Sequence, residues 1–167
     1  MISYAYQASL KIAQGNTMHS QRDAGFTLVE IIVVIGIIAV LFAIVLVAIN
    51  PTRQFKQANN TKRQSDIKAI LNAVQQFTVA NRGLYPAGLS TTAQTIEKSG
   101  GVDLCSLLVT NYLAALPVDP LTNNGTAVMN CGAAYNTNYT ILKSATDSRI
   151  TVAAPAAELG VTISVTQ

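Results

Sequence analysis

The chain has 167 residues, half of them hydrophobic and only 11% charged, against an average of about 25% charged in soluble domains. The formal net charge of +3 is too weak a basic excess to imply a nucleic-acid partner. The single histidine is His19, so a Ser-His-Asp or Cys-His site has no imidazole further along the chain. The sequence also lacks Gly-rich phosphate-binding motifs. We therefore expect neither an enzyme nor a protein with a cofactor.

The N-terminal third contains a candidate membrane span. Residues 1–25 are mixed in character and are typical of a leader or a disordered tail. From Ile31 to Ile49, nineteen residues carry no charge. At ~1.5 Å per residue this run covers about 28 Å, close to the thickness of a hydrocarbon core. The run is longer than the roughly 7–15 apolar residues of a secretory signal. We expect one transmembrane helix over residues 26–49.

The span is followed by a second, amphipathic helix, predicted over residues 50–82. Asn50-Pro51 predicts a kink or a short break between the two helices, because proline disfavours helical backbone in the residue before it. The helix should end near Gly83, since glycine readily adopts the left-handed stop conformation. One face carries an apolar stripe at helical spacing, which suits a helix packed against a sheet. The stripe consists of Ile67, Ile70, Leu71, Val74 and Phe77.

Residues 83–167 are predicted to form a globular head. Residues 87–134 are rich in turns, with short helical turns expected near 92–98 and 103–108. The last third is rich in Thr, Val, Ile and Tyr, and predicts strands over Tyr135–Lys143, Arg149–Ala153 and Gly160–Thr166. The expected fold is α+β, with a long N-terminal helix packed on a small antiparallel sheet.

Glu30 is the only charge between Phe26 and Arg53, and it directly precedes the apolar run. A carboxylate inside a membrane segment costs about 2.5–3.5 kcal/mol at the helix centre and less near the interface. Such groups are usually paired with a cation. The simpler interpretation is that Glu30 stabilises its own helix N-terminus through the helix dipole. Residue chemistry alone leaves both interpretations open.

The string Gly25-Phe26-Thr27-Leu28-Val29-Glu30, followed by the apolar run, resembles the processing site of type IV prepilins and pseudopilins. The resemblance implies that a membrane prepilin peptidase cuts between Gly25 and Phe26 on the cytoplasmic side, and then methylates the new amine of Phe26. Glu30 would be the fifth mature residue, where the family carries a glutamate. Starting at Met18 instead of Met1 would shorten the leader to eight residues.

The resemblance is continuous over residues 25–86 and patchy beyond. Leu121 stands where major pseudopilins commonly have a tryptophan, and the acidic C-terminal loop that holds calcium in those proteins is missing. Asp119 is the one candidate calcium ligand that the resemblance carries over. We therefore expect no metal site.

Charge counting and the resemblance disagree about topology. The stretch from Arg53 to Lys68 carries five cations after the span, against Lys11 and Arg22 before it. The positive-inside rule would place the head in the cytoplasm. The prepilin resemblance places it on the opposite side, and its motif is the more specific signal. We expect an extracytoplasmic head.

Two cysteines, Cys105 and Cys131, lie in the head. In an extracytoplasmic compartment an even pair favours a disulfide. The alternative is two free thiols that pack as small apolar side chains.

Together these features predict a structural subunit of a type IV pilus-like filament, assembled through its N-terminal helix. The expected partners are further copies of the chain, other pilins, the prepilin peptidase, the assembly platform and the membrane. The precursor would lie in the cytoplasmic membrane and the mature form in a pilus or at the cell surface. One alternative is a pseudopilin of a type II secretion system. A different class is a membrane-anchored module whose basic stretch Arg53–Lys68 binds DNA or a surface.

Overall fold

The computed structural model describes residues 25–167. It divides into two compact units, one ending at Val45 and the other spanning Leu46–Gln167. The predicted leader, residues 1–25, lies outside the described residues except for Gly25.

The apolar run forms helix α1, Leu28–Ile49. The predicted interruption at Asn50 is confirmed, because Asn50 adopts left-handed backbone angles (φ 47°, ψ 78°) and helix α2 begins at Pro51. The Asn50 side chain accepts a hydrogen bond from the backbone N–H of Arg53 at 3.3 Å. Asn50 therefore ends one helix and caps the next, and Pro51 has no N–H that needs a partner at this position.

Helix α2 runs from Pro51 to Ala80. Most of its predicted apolar stripe is buried, with Phe77 only partly so. The helix ends close to Gly83, as predicted, but Arg82 (φ 57°) as well as Gly83 (φ 88°) is left-handed; the Gly83 N–H donates to the Thr78 carbonyl at 2.8 Å. This bond closes the last turn in the manner of a Schellman motif.

The head contains a four-stranded antiparallel sheet in the order β1-β2-β3-β4. The strands are β1 Gln94–Glu97, β2 Asn136–Lys143, β3 Ile150–Ala153 and β4 Ser164–Thr166. A short helix α3, Cys105–Leu108, precedes a 3-10 turn at Asn123–Gly125. The α+β prediction, a long N-terminal helix with a small antiparallel sheet, is confirmed.

Two local predictions in the head need correction. The helical turn expected near residues 92–98 is wrong, because this segment forms β1. Its Ile96 is fully buried, and Gln94 pairs with Ile141 of β2. Pairing with a distant strand has overridden a weak local helical preference. The last strand is also shorter than predicted: it begins at Ser164, and Gly160, its predicted first residue, has a positive φ of 69°.

The core lies between α2 and the sheet. Full burial of an aliphatic side chain stabilises a fold by roughly 1.5–3 kcal/mol. α2 contributes Ile67, Ile70, Leu71, Ala73 and Val74, and the strands contribute Ile96, Tyr139, Ile141, Ile150 and Val152. The segment between β1 and β2 covers one side of this core through Leu104, Cys105, Leu108 and Leu116.

A cation is buried with the apolar residues of α2. The Arg63 side chain is 0% exposed, and its Nε and Nη2 donate to the two carboxylate oxygens of Asp119 at 2.6 and 3.2 Å. Its Nη1 donates to Glu158 Oε2 at 3.0 Å. The hydrogen bond to Asp119 is the main reason why the pKa of Arg63 is raised above its ordinary value. A bidentate ion pair of this kind fixes the relative orientation of the two side chains as well as neutralising their charges.

Asn60, one helical turn before Arg63, ties the C-terminal segment to the same place. Its side-chain amide donates to the Glu158 carbonyl at 2.8 Å, and its oxygen accepts the Glu158 N–H at 2.9 Å. Hydrogen bonds from Asn59 and then from Arg63 hold the pKa of the Glu158 carboxyl below its ordinary value. Three segments that are far apart in sequence therefore meet at one guanidinium.

We expect Asp119→Asn to destabilise the head by about 3–5 kcal/mol, since it leaves a buried guanidinium without its main counter-charge. Asparagine keeps an oxygen that can accept the Leu121 N–H, now bonded to Asp119 Oδ1 at 2.9 Å. The measurement is urea unfolding of the detergent-solubilised chain, followed by circular dichroism. Asp147→Asn is the matched control, because Asp147 pairs with Arg149 at the surface and its loss should change little. Equal unfolding midpoints for the two variants would contradict the expectation.

Candidate assembly site

The predicted processing site lies immediately before α1. Gly25, Phe26 and Thr27 precede the first helical residue, and Phe26 is 78% exposed. A Cβ added to Gly25 would meet no atom within 4 Å among the described residues. The fold therefore does not require glycine at this position. Its requirement, if the cleavage prediction holds, comes from the peptidase.

Thr27 caps α1, which sequence reasoning did not anticipate. Its Oγ1 accepts the Glu30 N–H at 3.2 Å, and its carbonyl accepts the Ile31 N–H at 3.2 Å. The signal was present in the sequence as the capping pattern T-x-x-E. Within residues 25–167 no hydrogen bond to the exposed Glu30 carboxylate is found. Thr27 thus caps the helix terminus, and the Glu30 carboxylate is available for another contact.

The surface of α1 is apolar and uncovered. None of its 22 residues is buried by the described chain, although nearly all are hydrophobic. By length and composition α1 can cross a membrane. Exposed apolar area of this extent demands a covering partner, either lipid or other helices.

Asp119, the carried-over calcium candidate, is fully buried against Arg63. Both of its carboxylate oxygens are engaged by the guanidinium. In the part of the chain that the structure describes, no group of three or more His, Cys, Asp or Glu residues is placed to hold a metal ion. The structure therefore assigns Asp119 to an ion pair inside the head.

Cys105 and Cys131 are joined by a disulfide. The bond links the first residue of α3 to the loop before β2. Beside it, the Tyr135 hydroxyl donates to Asp103 Oδ1 at 2.7 Å, and Lys98 Nζ donates to Oδ2 at 2.8 Å. Burial alone would raise the pKa of Asp103, but these donors and the Cys105 N–H together hold it below its ordinary value. The disulfide and this polar cluster fix the loop region to the sheet.

The basic stretch Arg53–Lys68 does not form one solvated face. Arg63 lies in the core, and Lys62 is paired with Asp66 at 3.1 Å. Only Arg53, Lys56 and Lys68 of this stretch are in no ion pair within the described chain. The signal for Arg63 was its position one turn before Ile67, in line with the apolar stripe. Of the five cations counted in this stretch, the fold therefore leaves three for contacts outside the described chain.

Known proteins resemble this chain both at its N-terminal motif and over much of its length. The model of the prokaryotic N-terminal methylation motif matches residues 20–46. The type II secretion system core protein G of Pseudomonas aeruginosa is 33% identical over 107 residues, which are 64% of this chain and 73% of that protein. The protein of the same description from Escherichia coli K12 is 34% identical over 110 residues, or 63% and 71% of the two chains. The Aeromonas hydrophila protein is 28% identical over 106 residues. No solved structure matches the chain.

The chain has a Gly-Phe step, then an exposed apolar helix, then a small α+β head. This combination defines a pilin-like protein. With the matched motif and these relatives, the chain belongs to the family of type IV pilins and pseudopilins. Members of this family are structural subunits of filaments. They are made as membrane-anchored precursors, processed by a prepilin peptidase and assembled with other pilins.

We expect reduction of the Cys105–Cys131 bond to destabilise the head by about 3–4 kcal/mol, because the bond closes a loop and restricts the unfolded chain. The two cysteines are 26 positions apart. The measurement is thermal unfolding with and without dithiothreitol. The double variant Cys105→Ala/Cys131→Ala is the control and should not respond to the reductant. Free alkylation of both thiols in native, unreduced protein would contradict the bond.

Proposed function

We propose that the chain is a pseudopilin-type subunit that builds a filament of the cell envelope through packing of its α1 helices. The observation that carries the proposal is the bare surface of α1, which exposes apolar side chains on every side. In the precursor, lipid would cover this surface. In the filament, α1 helices of other subunits would replace the lipid, and the heads would form the outside. Contacts between two different surfaces of identical subunits can repeat along a helix without closing into a ring.

A type II secretion role is favoured over an extended pilus by the relatives. The three described above all carry the name type II secretion system core protein G. Electron microscopy of cells and analysis of exported proteins, each with and without deletion of this chain's gene, would separate the two roles. A secretion pseudopilin predicts loss of exported proteins when it is deleted, whereas a pilus subunit predicts loss of surface filaments.

Glu30 would specify how subunits join. Cleavage after Gly25 would create a positive amine on Phe26, and methylation would keep it cationic. In a filament core the Glu30 carboxylate would lie among apolar helices, where an uncompensated charge costs several kcal/mol. The Phe26 amine of an adjacent subunit is the available counter-charge. This pairing would also fix the axial register between neighbours.

Gly25→Val should block processing and leave a full-length precursor in the membrane, because a side chain at Gly25 would crowd the scissile bond in the peptidase. The head of the variant should fold normally, since Gly25 has no close neighbour among the described residues. The measurement is the mass of the N-terminal peptide, with mature protein expected to start at N-methyl-Phe26. Normal maturation of Gly25→Val, or an uncut wild-type chain as the binding-module alternative predicts, would refute this site.

Glu30→Gln should leave cleavage intact and reduce filament yield by about tenfold or more, since it strands the neighbour's amine in an apolar core. Thr27→Val is the matched control. It removes the hydroxyl that caps α1, at a cost of about 1 kcal/mol, but keeps the Glu30 carboxylate. Yields are compared on the processed fraction of each variant. If Glu30 acts only on its own helix terminus, the two variants should lose similar amounts, and the pairing role fails.

A further inference from the structure

The first two turns of α2 carry an unusual set of exposed side chains. Phe55 is 71% exposed, although its aromatic ring gains from leaving water. Arg53 is exposed as well, and Lys56 is half-buried. We refer to Arg53–Lys56 as the interfacial segment.

The interfacial segment lies close to the end of the apolar helix. Phe55 follows Ile49, the last residue of α1, by six positions. At ~1.5 Å per helical residue this is about 9 Å of chain, comparable with the roughly 5–8 Å depth of one headgroup layer. A helix that leaves a bilayer presents its whole circumference to the headgroups. Side chains on different sides of α2 can therefore contact lipid at the same depth.

The charge distribution of the head leaves these cations without acidic partners. Among the described acids after Pro51, all except Glu97 are already in ion pairs within the subunit. Glu97 accepts a hydrogen bond from Asn136 at 2.7 Å. Arg53 and Lys56 are in no ion pair of the described chain, although Lys56 acts on Glu158 at longer range. Both cations are therefore available to an anion from outside the subunit.

We propose that the interfacial segment is a phospholipid-binding surface. Arg53 and Lys56 bind the phosphate groups of anionic lipids, and the Phe55 ring inserts between the headgroups. An aromatic ring beside basic residues at the end of a span is suited to the polar boundary of a bilayer. The contact holds the precursor at a fixed depth in the membrane. It rests on α1 being a membrane span and is independent of the filament role.

Duplex DNA is the competing anionic partner, and the distribution of charge disfavours it. Affinity for DNA grows with the number of phosphates that a basic surface neutralises together. Here the remaining unpaired cations of α2 and its end, Lys68 and Arg82, lie far along the helix from the interfacial segment. Two cations around an exposed phenyl ring at the end of a span fit a lipid surface better.

A single tryptophan can report on the segment, because the chain contains none. The test uses the full-length, unprocessed protein in vesicles of phosphatidylcholine with phosphatidylglycerol. Phe55→Trp should give blue-shifted emission that brominated lipids quench and aqueous iodide does not. Val79→Trp is the matched control, since Val79 lies in the last turn of the same helix and is 81% exposed. Its emission should show no blue shift, and aqueous iodide should quench it while brominated lipids do not.

The role of charge is tested in the Phe55→Trp background. Arg53→Gln with Lys56→Gln should reduce the quenching by brominated phosphatidylglycerol and abolish the difference from vesicles of phosphatidylcholine alone. Lys68→Gln with Arg82→Gln removes the same charge elsewhere and should change neither result. Iodide-accessible emission at position 55 would overturn the proposal. So would equal effects of the two double variants, or loss of duplex DNA binding in the first variant with unchanged lipid quenching.

Discussion

The head depends on the pairing of one buried cation. A guanidinium that is 0% exposed is tolerable only when its hydrogen-bond donors and charge are matched. Arg63 achieves this with Asp119 from the loop before β2, and with Asn60 and Glu158 from α2 and the C-terminal segment. A packing that moved any of these segments would leave a buried charge unpaired. The ion pair thus selects one arrangement of helix, loop and C-terminus.

This pairing also changes how the surface must be understood. In a filament, the cations of α2 could pair with acids on neighbouring subunits. In the structure, the acids of the head are nearly all used inside the same subunit. The head therefore offers few acids to a neighbour. The largest exposed apolar surface of the described chain lies on α1. In the proposed filament, burial of that surface would supply contact area but little directionality, and the Glu30 carboxylate would supply the specific contact.

The sequence determined the parts of the molecule whose signal is local. The apolar run, the break at Asn50-Pro51, the stripe on α2 and strands β2 and β3 follow from composition and periodicity. Strand β1 does not, because Gln94–Glu97 becomes a strand only by pairing with β2, some forty residues later. The alignment of Arg63 with Ile67 on the helix indicates that Arg63 faces the core. Nothing in the sequence pattern indicates that its partners are Asp119 and Glu158. Contacts across 56 and 95 positions leave no periodic signal.

The position of Glu158 has a consequence for folding. It lies nine residues before the C-terminus, and β4 follows it. Until this end of the chain is present, Arg63 lacks one counter-charge and α2 lacks the strand that flanks it. Domains whose contacts join residues far apart in sequence fold more slowly than domains with local contacts. The segment from Glu158 through β4 therefore joins α2 and β3 in the folded head, and its contacts depend on both.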